Sequence, residues 1–132
     1  MVEVHLDNSP QGQFENSGIL CYFDGQTFVC MNKESGGPHQ SVFVFSQQNA
    51  KPTFSKDKEY RESGIWLRLI MHGKKAVGQF RSTEQEPWQT VGDCPIPSSS
   101  KELLVGLKSW YGQEPPVRHA TFRSFRILKA SE

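Results

Sequence analysis

The amino-acid sequence predicts an all-β fold, a sandwich of two antiparallel sheets with about nine short strands. The first observation is the stretch 64–94, where apolar and polar residues alternate from Ile65 to His72 and again after a turn at Gly73. Alternation with a period of two is typical of strands, because successive side chains point to opposite faces of a sheet. The second observation is Asp24-Gly25 between two strand-like runs, a dipeptide typical of a tight hairpin turn.

The third observation is that no segment favours a helix. Residues 103–108 are the one stretch that fits either state. They are too few for a stable helix, and Gly106 weakens that interpretation further. Regularly spaced short strands without helices are typical of a β-sandwich or barrel.

Loops rich in Gly, Pro, Asn and Asp separate the predicted strands. In chain order, we expect strands at residues 2–6, 18–23, 26–31, 42–45, 65–72, 76–81, 88–91, 103–107 and 119–128. Residues 7–16 and 33–38 are predicted loops, and 47–63 is the longest stretch without clear periodicity. If the last strand is regular, Arg123 and Arg126 face opposite ways and form no single basic patch.

Length and charge narrow the function. The 132 residues fit one domain, residues 1–132, with a real core. The 15 Lys and Arg balance 14 Asp and Glu, for a net charge of +1. This balance gives no reason to expect a nucleic acid or an anionic membrane as a partner.

The chain is expected to be cytoplasmic. Its first ten residues lack the basic and apolar regions of a signal peptide, although a secreted protein that had lost its signal would look the same. The three cysteines, Cys21, Cys30 and Cys94, match no zinc or redox spacing. We expect three reduced, largely buried thiols; a Cys21–Cys30 pair across the hairpin is the alternative.

Four segments of the sequence resemble one family of domains. Residues 18–29 (GILCYFDGQTFV) resemble the strand–Asp–turn–strand hairpin of concanavalin A-like (laminin G-like) domains. Residues 65–92, with WLRL, Gly, Ser, Trp and Val-Gly at intervals, resemble the meander of the same group, and 105–107 and 120–127 its last two strands. The arrangement is similar to the C-terminal accessory domain of family-43 β-xylosidases. The resemblance covers residues 17–128 and implies a concanavalin A-like jelly roll, a fold whose members often carry sugars on a concave sheet.

This chain departs from the family in two respects. Family domains usually have extra strands ahead of the hairpin, whereas only residues 1–16 precede it here. The sandwich is therefore either trimmed at its N-terminus or covered along an open edge by a partner subunit. No acidic constellation matches a calcium site of the family, and no ligand-binding residue can be carried over from it.

The candidate ligand-binding residues are aromatic side chains and one arginine. Trp66 and Arg68 alternate with the aliphatic face of their strand, so they are expected on the outer or concave surface, where an indole and a guanidinium suit sugar recognition. The alternative is that Trp66 lies in the core or under a loop. Tyr22 is expected to share the face that carries Trp66.

A second aromatic group follows the penultimate strand. Trp110 and Tyr111 open a Gly/Pro-rich loop, either as contact residues or as a plug that closes one end of the sandwich. Trp88 follows Pro87 at a strand start and is expected to fill the core.

Catalytic and metal signatures are weak. Asp57, Glu59 and Glu62 in DKEYRE faintly resemble the acidic triplet of laminarinase-type glycosidases, but basic residues interleave them, as on a solvated surface. The four histidines show no zinc-binding spacing. We therefore predict no catalytic residue, metal or cofactor.

Three functions follow from these observations. The leading hypothesis is a non-catalytic binding or accessory domain with a carbohydrate ligand. The second is a protein-interaction domain, including a homodimer, without a sugar ligand. The third is a glycoside hydrolase-like enzyme.

Overall fold

The computed structural model describes residues 1–36, 39–110 and 118–129. In this part of the chain there are eleven strands. They are β1 (Val2–Asp7), β2 (Asn16–Asp24), β3 (Thr27–Gly36), β4 (His39–Gln48), β5 (Lys51–Phe54), β6 (Lys58–Glu59), β7 (Gly64–His72), β8 (Lys75–Arg81), β9 (Gln89–Pro95), β10 (Leu104–Trp110) and β11 (Thr121–Ile127).

The strands form two antiparallel sheets. The five-stranded sheet has the order β11-β1-β7-β8-β9, and the six-stranded sheet has the order β10-β2-β3-β4-β5, with β6 paired to β4. Strands of one sheet contact strands of the other. For example, β1 contacts β2 and β9 contacts β4, so the two sheets are stacked. The predicted all-β sandwich is confirmed.

The core lies between the sheets and is built from the alternating aliphatic residues. Val4 of β1 and Leu67 of β7 are direct partners, and both are fully buried. Facing them from the six-stranded sheet are Ile19 of β2 and Met31 of β3, also fully buried. Such interlocking inner faces are the hydrophobic contact that stabilises a sandwich. Residues at the alternate positions of these strands therefore point outward.

The structure adds strands where the sequence predicts irregular chain. β3 continues to Gly36 and pairs with β4, which begins at His39, so residues 33–36 of the predicted loop belong to a strand. The polar residues of this segment lie on the outer face or at the end of the sandwich. They therefore show no apolar alternation, and the sequence did not predict a strand there. The segment 47–63 contains β5, whose Pro52 lies in an edge strand, where a missing amide donor is tolerated.

The last strand is irregular, which corrects the expected orientation of its arginines. The β1–β11 register shifts between Glu3, which pairs with Arg126, and His5, which pairs with Arg123. Ser124 takes up the extra residue with a φ of 56°. This β-bulge restores both arginines to one face, so the prediction that they face opposite ways is wrong.

The three thiols are free and buried. Cys21 pairs with Val29 and Cys30 with Leu20, so the two cysteines occupy neighbouring positions on opposite faces of the sheet and do not form a bridge. Burial raises the pKa of both Cys21 and Cys30 to about 11, which makes them poor nucleophiles near neutral pH. Within the described ranges, no helix has the length and apolar character that a membrane span requires.

Candidate functional site

The outer face of the six-stranded sheet carries most of the outward aromatic residues. The register aligns Leu104, Tyr22 and Phe28 across β10, β2 and β3. Two residues further along the strands, Leu20 lies between Gly106 and Cys30. Side chains that are neighbours across strands on one face lie close enough to contact each other. This end of the face is therefore continuous and apolar.

A pocket opens at this apolar end, and we call it the Trp110 pocket. Its volume is about 280 Å³, and it is lined by Leu20, Tyr22, Phe28, Lys108, Ser109 and Trp110. Trp110 is 54% exposed, so its indole is available to a ligand. Tyr22 and Phe28 are half-buried and line the pocket as well. The pocket combines aromatic walls with one cation, a combination typical of small-ligand sites.

One row of residues, with a glycine at its middle position, separates this apolar end from a polar region. Gly18 of β2 lies between Lys108 of β10 and Asn32 of β3, so no side chain fills the middle position of that row. In the next row, Asn16 lies between Trp110 and Glu34. The Asn16 Nδ2 group donates a hydrogen bond to Glu34 Oε1 at 3.3 Å. The apolar pocket is thus bordered by an amide and a carboxylate.

Burial disfavours the charged form of the Glu34 carboxyl at this border. The pKa of Glu34 is raised, first because the carboxyl is desolvated, while Lys108 and the Asn16 hydrogen bond partly oppose the shift. Lys108 makes no hydrogen bond or ion pair with any described residue. Its ammonium can therefore donate to a ligand without breaking an existing bond.

A second hollow of about 350 Å³ lies on the same face, toward β4 and β5. Glu34, His39, Phe43, Phe54 and Asp57 are among the residues that line it. Phe54 is 62% exposed and stacks on Phe45 with a ring-centre distance of 4.6 Å. Glu34 belongs to this hollow and borders the Trp110 pocket as well. The outer face therefore offers two adjoining recesses with aromatic surfaces.

The structure places Trp66 on the opposite side of the molecule from Tyr22. Both point outward, but Trp66 lies on β7 of the five-stranded sheet and Tyr22 on β2 of the six-stranded sheet. The expectation that they share a face is wrong, because alternation shows that a residue points outward and not from which sheet. Trp66 is also only 5% exposed, with its ring edge-on to His5 at 5.1 Å. The alternative, a tryptophan covered by other residues, describes it better than an open surface.

Arg68 and Trp88 complete this second face. The Arg68 guanidinium lies 4.0 Å from the ring centre of Trp88, and that of Arg81 lies 4.2 Å from it. The prediction that Trp88 fills the core is wrong: it is half-buried outside the five-stranded sheet, between two cations. Arg68 also donates to Glu3 Oε1, at 2.8 Å from its Nε. Its hydrogen-bonding groups are thus largely used within the protein.

The remaining sequence candidates do not assemble into a site. Glu59 forms an ion pair with Arg61, and both side chains are exposed. Asp57 lines the second hollow, apart from that pair. Among the described residues, no three His, Cys, Asp or Glu side chains are close enough to hold a metal ion. Tyr111 lies outside the described residues.

The structure therefore brings together two of the five predicted site residues, Tyr22 and Trp110. Leu20, Phe28 and Lys108 also line the pocket but were not among the predicted site residues. The outward orientation of Leu20 could have been predicted, because Leu20 alternates with the core residues Ile19 and Cys21 as Tyr22 does. The pairing of β10 with β2, which brings Lys108 beside Gly18, could not be read from local pattern.

The fold is found in larger proteins of known structure. The chain aligns with the GH43 protein BlXynB of Bacillus licheniformis at a TM-score of 0.80 and 18% identity, over 92% of this chain and 25% of that one. It aligns with a xylan β-1,4-xylosidase of Bacillus halodurans C-125 at 0.77 and 15% identity, over 92% of this chain and 26% of the other. The predicted resemblance to family-43 proteins is confirmed for the fold.

A further match is a functionally unknown protein of Saccharomyces cerevisiae, with a TM-score of 0.79 and 20% identity. That alignment covers 95% of this chain and 66% of the yeast chain. The sequence matches no family model and no curated protein. The chain thus spans about a quarter of the two bacterial proteins, and at these identities the likeness establishes the fold and not the activity.

Proposed function

We propose that this chain is a non-catalytic accessory domain that binds carbohydrate in the Trp110 pocket. The observation that carries the proposal is the pocket itself, which the exposed Trp110 lines together with Tyr22, Phe28 and Lys108, whose ammonium has no hydrogen-bond or ion-pair partner among the described residues. An indole can stack on the apolar face of a pyranose ring, while an ammonium donates hydrogen bonds to hydroxyl oxygens. The pocket supplies both kinds of contact.

The polar border supports binding of a sugar chain longer than one unit. Asn16 and Glu34 follow Trp110 across the sheet, and the second hollow continues beyond Glu34. Amide and carboxyl groups are hydrogen-bonding partners for sugar hydroxyls. A chain of sugars could therefore cross the strands from the Trp110 pocket toward Phe54.

The fold comparison favours xylan as the first ligand to test. One matched protein is described as a xylan β-1,4-xylosidase, and this chain corresponds to about a quarter of it. An accessory domain that binds the polymer would raise the local concentration of a linked catalytic domain at its substrate. Trp66 and Arg68 are left out of the proposed site because Trp66 is covered and Arg68 is bonded to Glu3.

Intrinsic fluorescence can test the proposal. The chain has three tryptophans, and Trp110 is the most exposed of them in the structure. Titration with xylo-oligosaccharides, and in parallel with laminarin and cellulose oligosaccharides, should change the emission of the wild type. Trp110→Phe should remove most of this change in emission. Trp110→Ala should weaken binding about tenfold or more, because it removes an aromatic stacking partner and the area that this partner buries.

The matched control is Phe54→Ala, which removes an exposed aromatic ring from the same sheet outside the pocket. It should bind short oligosaccharides like the wild type and lose affinity only for long ones. The proposal fails if none of these polysaccharides binds. It also fails if Trp110→Ala and Tyr22→Ala, folded by circular dichroism, bind as well as the wild type.

A further inference from the structure

The outer edge of β11 is unpaired in the part of the chain that the structure describes. β11 is the first strand of its sheet and hydrogen-bonds to β1 on one side only. Exposed edges present a row of backbone donors and acceptors that can pair with another strand. Natural edge strands usually avoid pairing with other chains through charged residues, proline or a covering segment. The side chains of β11 therefore determine which strand could pair with this edge.

The inner side of β11 is apolar and open. Ile127 pairs with the core residue Val2, yet it is 62% exposed. Phe125 and Leu128 are each 38% exposed. On the facing edge strand β10, Leu107 pairs with the fully buried Ile19 but is itself 38% exposed. Apolar side chains at this edge therefore lack the cover that one more strand would give.

The outer side of β11 is cationic. The bulge at Ser124 places Arg123 and Arg126 on the same face. Arg126 donates to Glu3 Oε2 at 2.9 Å, but its side chain remains 52% exposed. Arg123 donates to His5 Nδ1 at 3.1 Å and has no carboxylate partner among the described residues. Glu3 also accepts from Arg68, so Arg126 shares its carboxylate with Arg68, and within the described residues no ion pair neutralises Arg123.

We propose that the free edge of β11 accepts an extended segment of a partner protein in which acidic and apolar residues alternate. The added strand would place its apolar side chains beside Phe125 and Ile127 and its carboxylates beside Arg123 and Arg126. Strand addition of this kind takes affinity from backbone hydrogen bonds and specificity from the alternating side chains. The proposal is independent of carbohydrate binding, because the Trp110 pocket lies on the other sheet.

The strand that already pairs with β11 is β1, and its sequence shows which alternation of residues fits beside β11. β1 reads VEVHLD, and its Val2, Val4 and Leu6 enter the core while Glu3 meets Arg126 from the outer face. A strand on the free edge meets the same two rows of side chains from the other side. Its sequence should therefore resemble that of β1, with carboxylates at the outward positions.

Charge argues against a second copy of this chain as the occupant. If β11 paired antiparallel with β11 of another molecule, outward residues would lie beside outward residues. The arginines of one copy would then face the arginines of the other, and like charges directly opposite are destabilising. An acidic partner removes this repulsion, so the geometry favours a heterologous strand.

The test uses a fluorescent peptide of alternating valine and glutamate, flanked by Gly-Ser, and fluorescence anisotropy with the whole chain. The peptide should bind, while a valine–lysine peptide and a peptide of the same composition with its glutamates in one block should not. The double variant Arg123→Gln/Arg126→Gln should bind the peptide about tenfold more weakly, since two charge pairs are lost. Lys74→Gln/Lys75→Gln, which removes the same charge from the turn after β7 and the exposed first residue of β8, should bind as the wild type does.

Amide hydrogen exchange locates the contact. Bound peptide should slow exchange of the β11 amides that do not donate to β1, and leave β10 unchanged. The proposal is overturned if the valine–glutamate peptide does not bind, if the lysine peptide binds equally well, or if protection appears on β10. It is also overturned if sedimentation shows a dimer in which β11 is protected without peptide.

Discussion

The ammonium group of Lys33 lies 5.6 Å from the centre of the Tyr60 ring, and both residues are buried. Lys33 projects from β3 at the end of the core, where its Nζ donates to the backbone carbonyls of Asn8 at 2.8 Å, Glu62 at 2.6 Å and Ser63 at 3.1 Å. One cation thus ties the chain after β1 to the segment that precedes β7. Tyr60, which itself packs edge-on against Phe80, closes this end of the sandwich.

We expect Lys33→Met to destabilise the fold. Methionine keeps the apolar length of the side chain but donates no hydrogen bond, so the carbonyls of Asn8 and Glu62 lose their partner while Ser63 keeps the Asn8 amide. Buried acceptors left without a donor cost about 1–3 kcal/mol each, which suggests a loss of about 2–4 kcal/mol. Urea denaturation measures it. Lys51→Met on the exposed strand β5 is the control, and equal midpoints for the two variants would contradict the assignment.

The same lysine should make stability depend on pH in the alkaline range. Burial lowers the pKa of Lys33 to about 8, against an ordinary value of 10.5. Between these values the unfolded chain holds a proton that the folded chain has released, so the free energy of unfolding rises with pH through this residue. Cys21 and Cys30 act in the opposite direction, because their raised pKa values keep protons on the folded chain.

Comparison with Lys33→Met separates these contributions, since both proteins contain the same thiols. The stability difference between wild type and Lys33→Met should widen from pH 8 to pH 10, by about 3 kcal/mol at most. Urea titrations at several pH values provide the measurement. A difference that stays constant or narrows over this range would show that the Lys33 pKa is not lowered.

The sequence was sufficient to predict every strand in which apolar residues alternate toward the core, as in β1 and β7. It did not predict β5, because Pro52 is typical of loops and only its position at an edge makes it compatible with a strand. The candidate site was harder to predict. Alternation identified Tyr22 and Trp66 as outward-facing, but which sheet each belongs to depends on long-range pairing. The position of Arg123 depended on a bulge at Ser124, a non-glycine residue with no local signal for positive φ.

His5, which contacts Trp66 on the outer face of the five-stranded sheet, should affect the free energy of unfolding below neutral pH. The pKa of His5 is lowered, first by burial and then by the charge of Arg123. As the pH falls below 6.5, the unfolded chain therefore takes up a proton more readily than the folded chain, and the free energy of unfolding decreases. His5→Gln should flatten the fall in stability between pH 7 and pH 5. A His5→Gln variant whose stability falls as steeply as that of the wild type between pH 7 and pH 5 would refute a role for His5.

Close packing between the sheets should make Gly78 sensitive to substitution. A Cβ atom at this position would overlap Val44 Cγ2 and lie 2.6 Å from Met31 Sδ, so the two layers would have to separate or their side chains change rotamer. Overpacking of this kind costs about 1–3 kcal/mol, and we expect Gly78→Ala to lower the free energy of unfolding by that amount. Gly106→Ala is the matched control, because a Cβ at this position of β10 meets nothing within 4 Å in the folded chain. The substitution also reduces the backbone freedom of the unfolded chain, which favours folding. Thermal and urea denaturation should therefore rank Gly106→Ala at or above the wild type and Gly78→Ala below it. The reverse order would mean that β8 does not approach β3 and β4 as closely as Met31 and Val44 indicate.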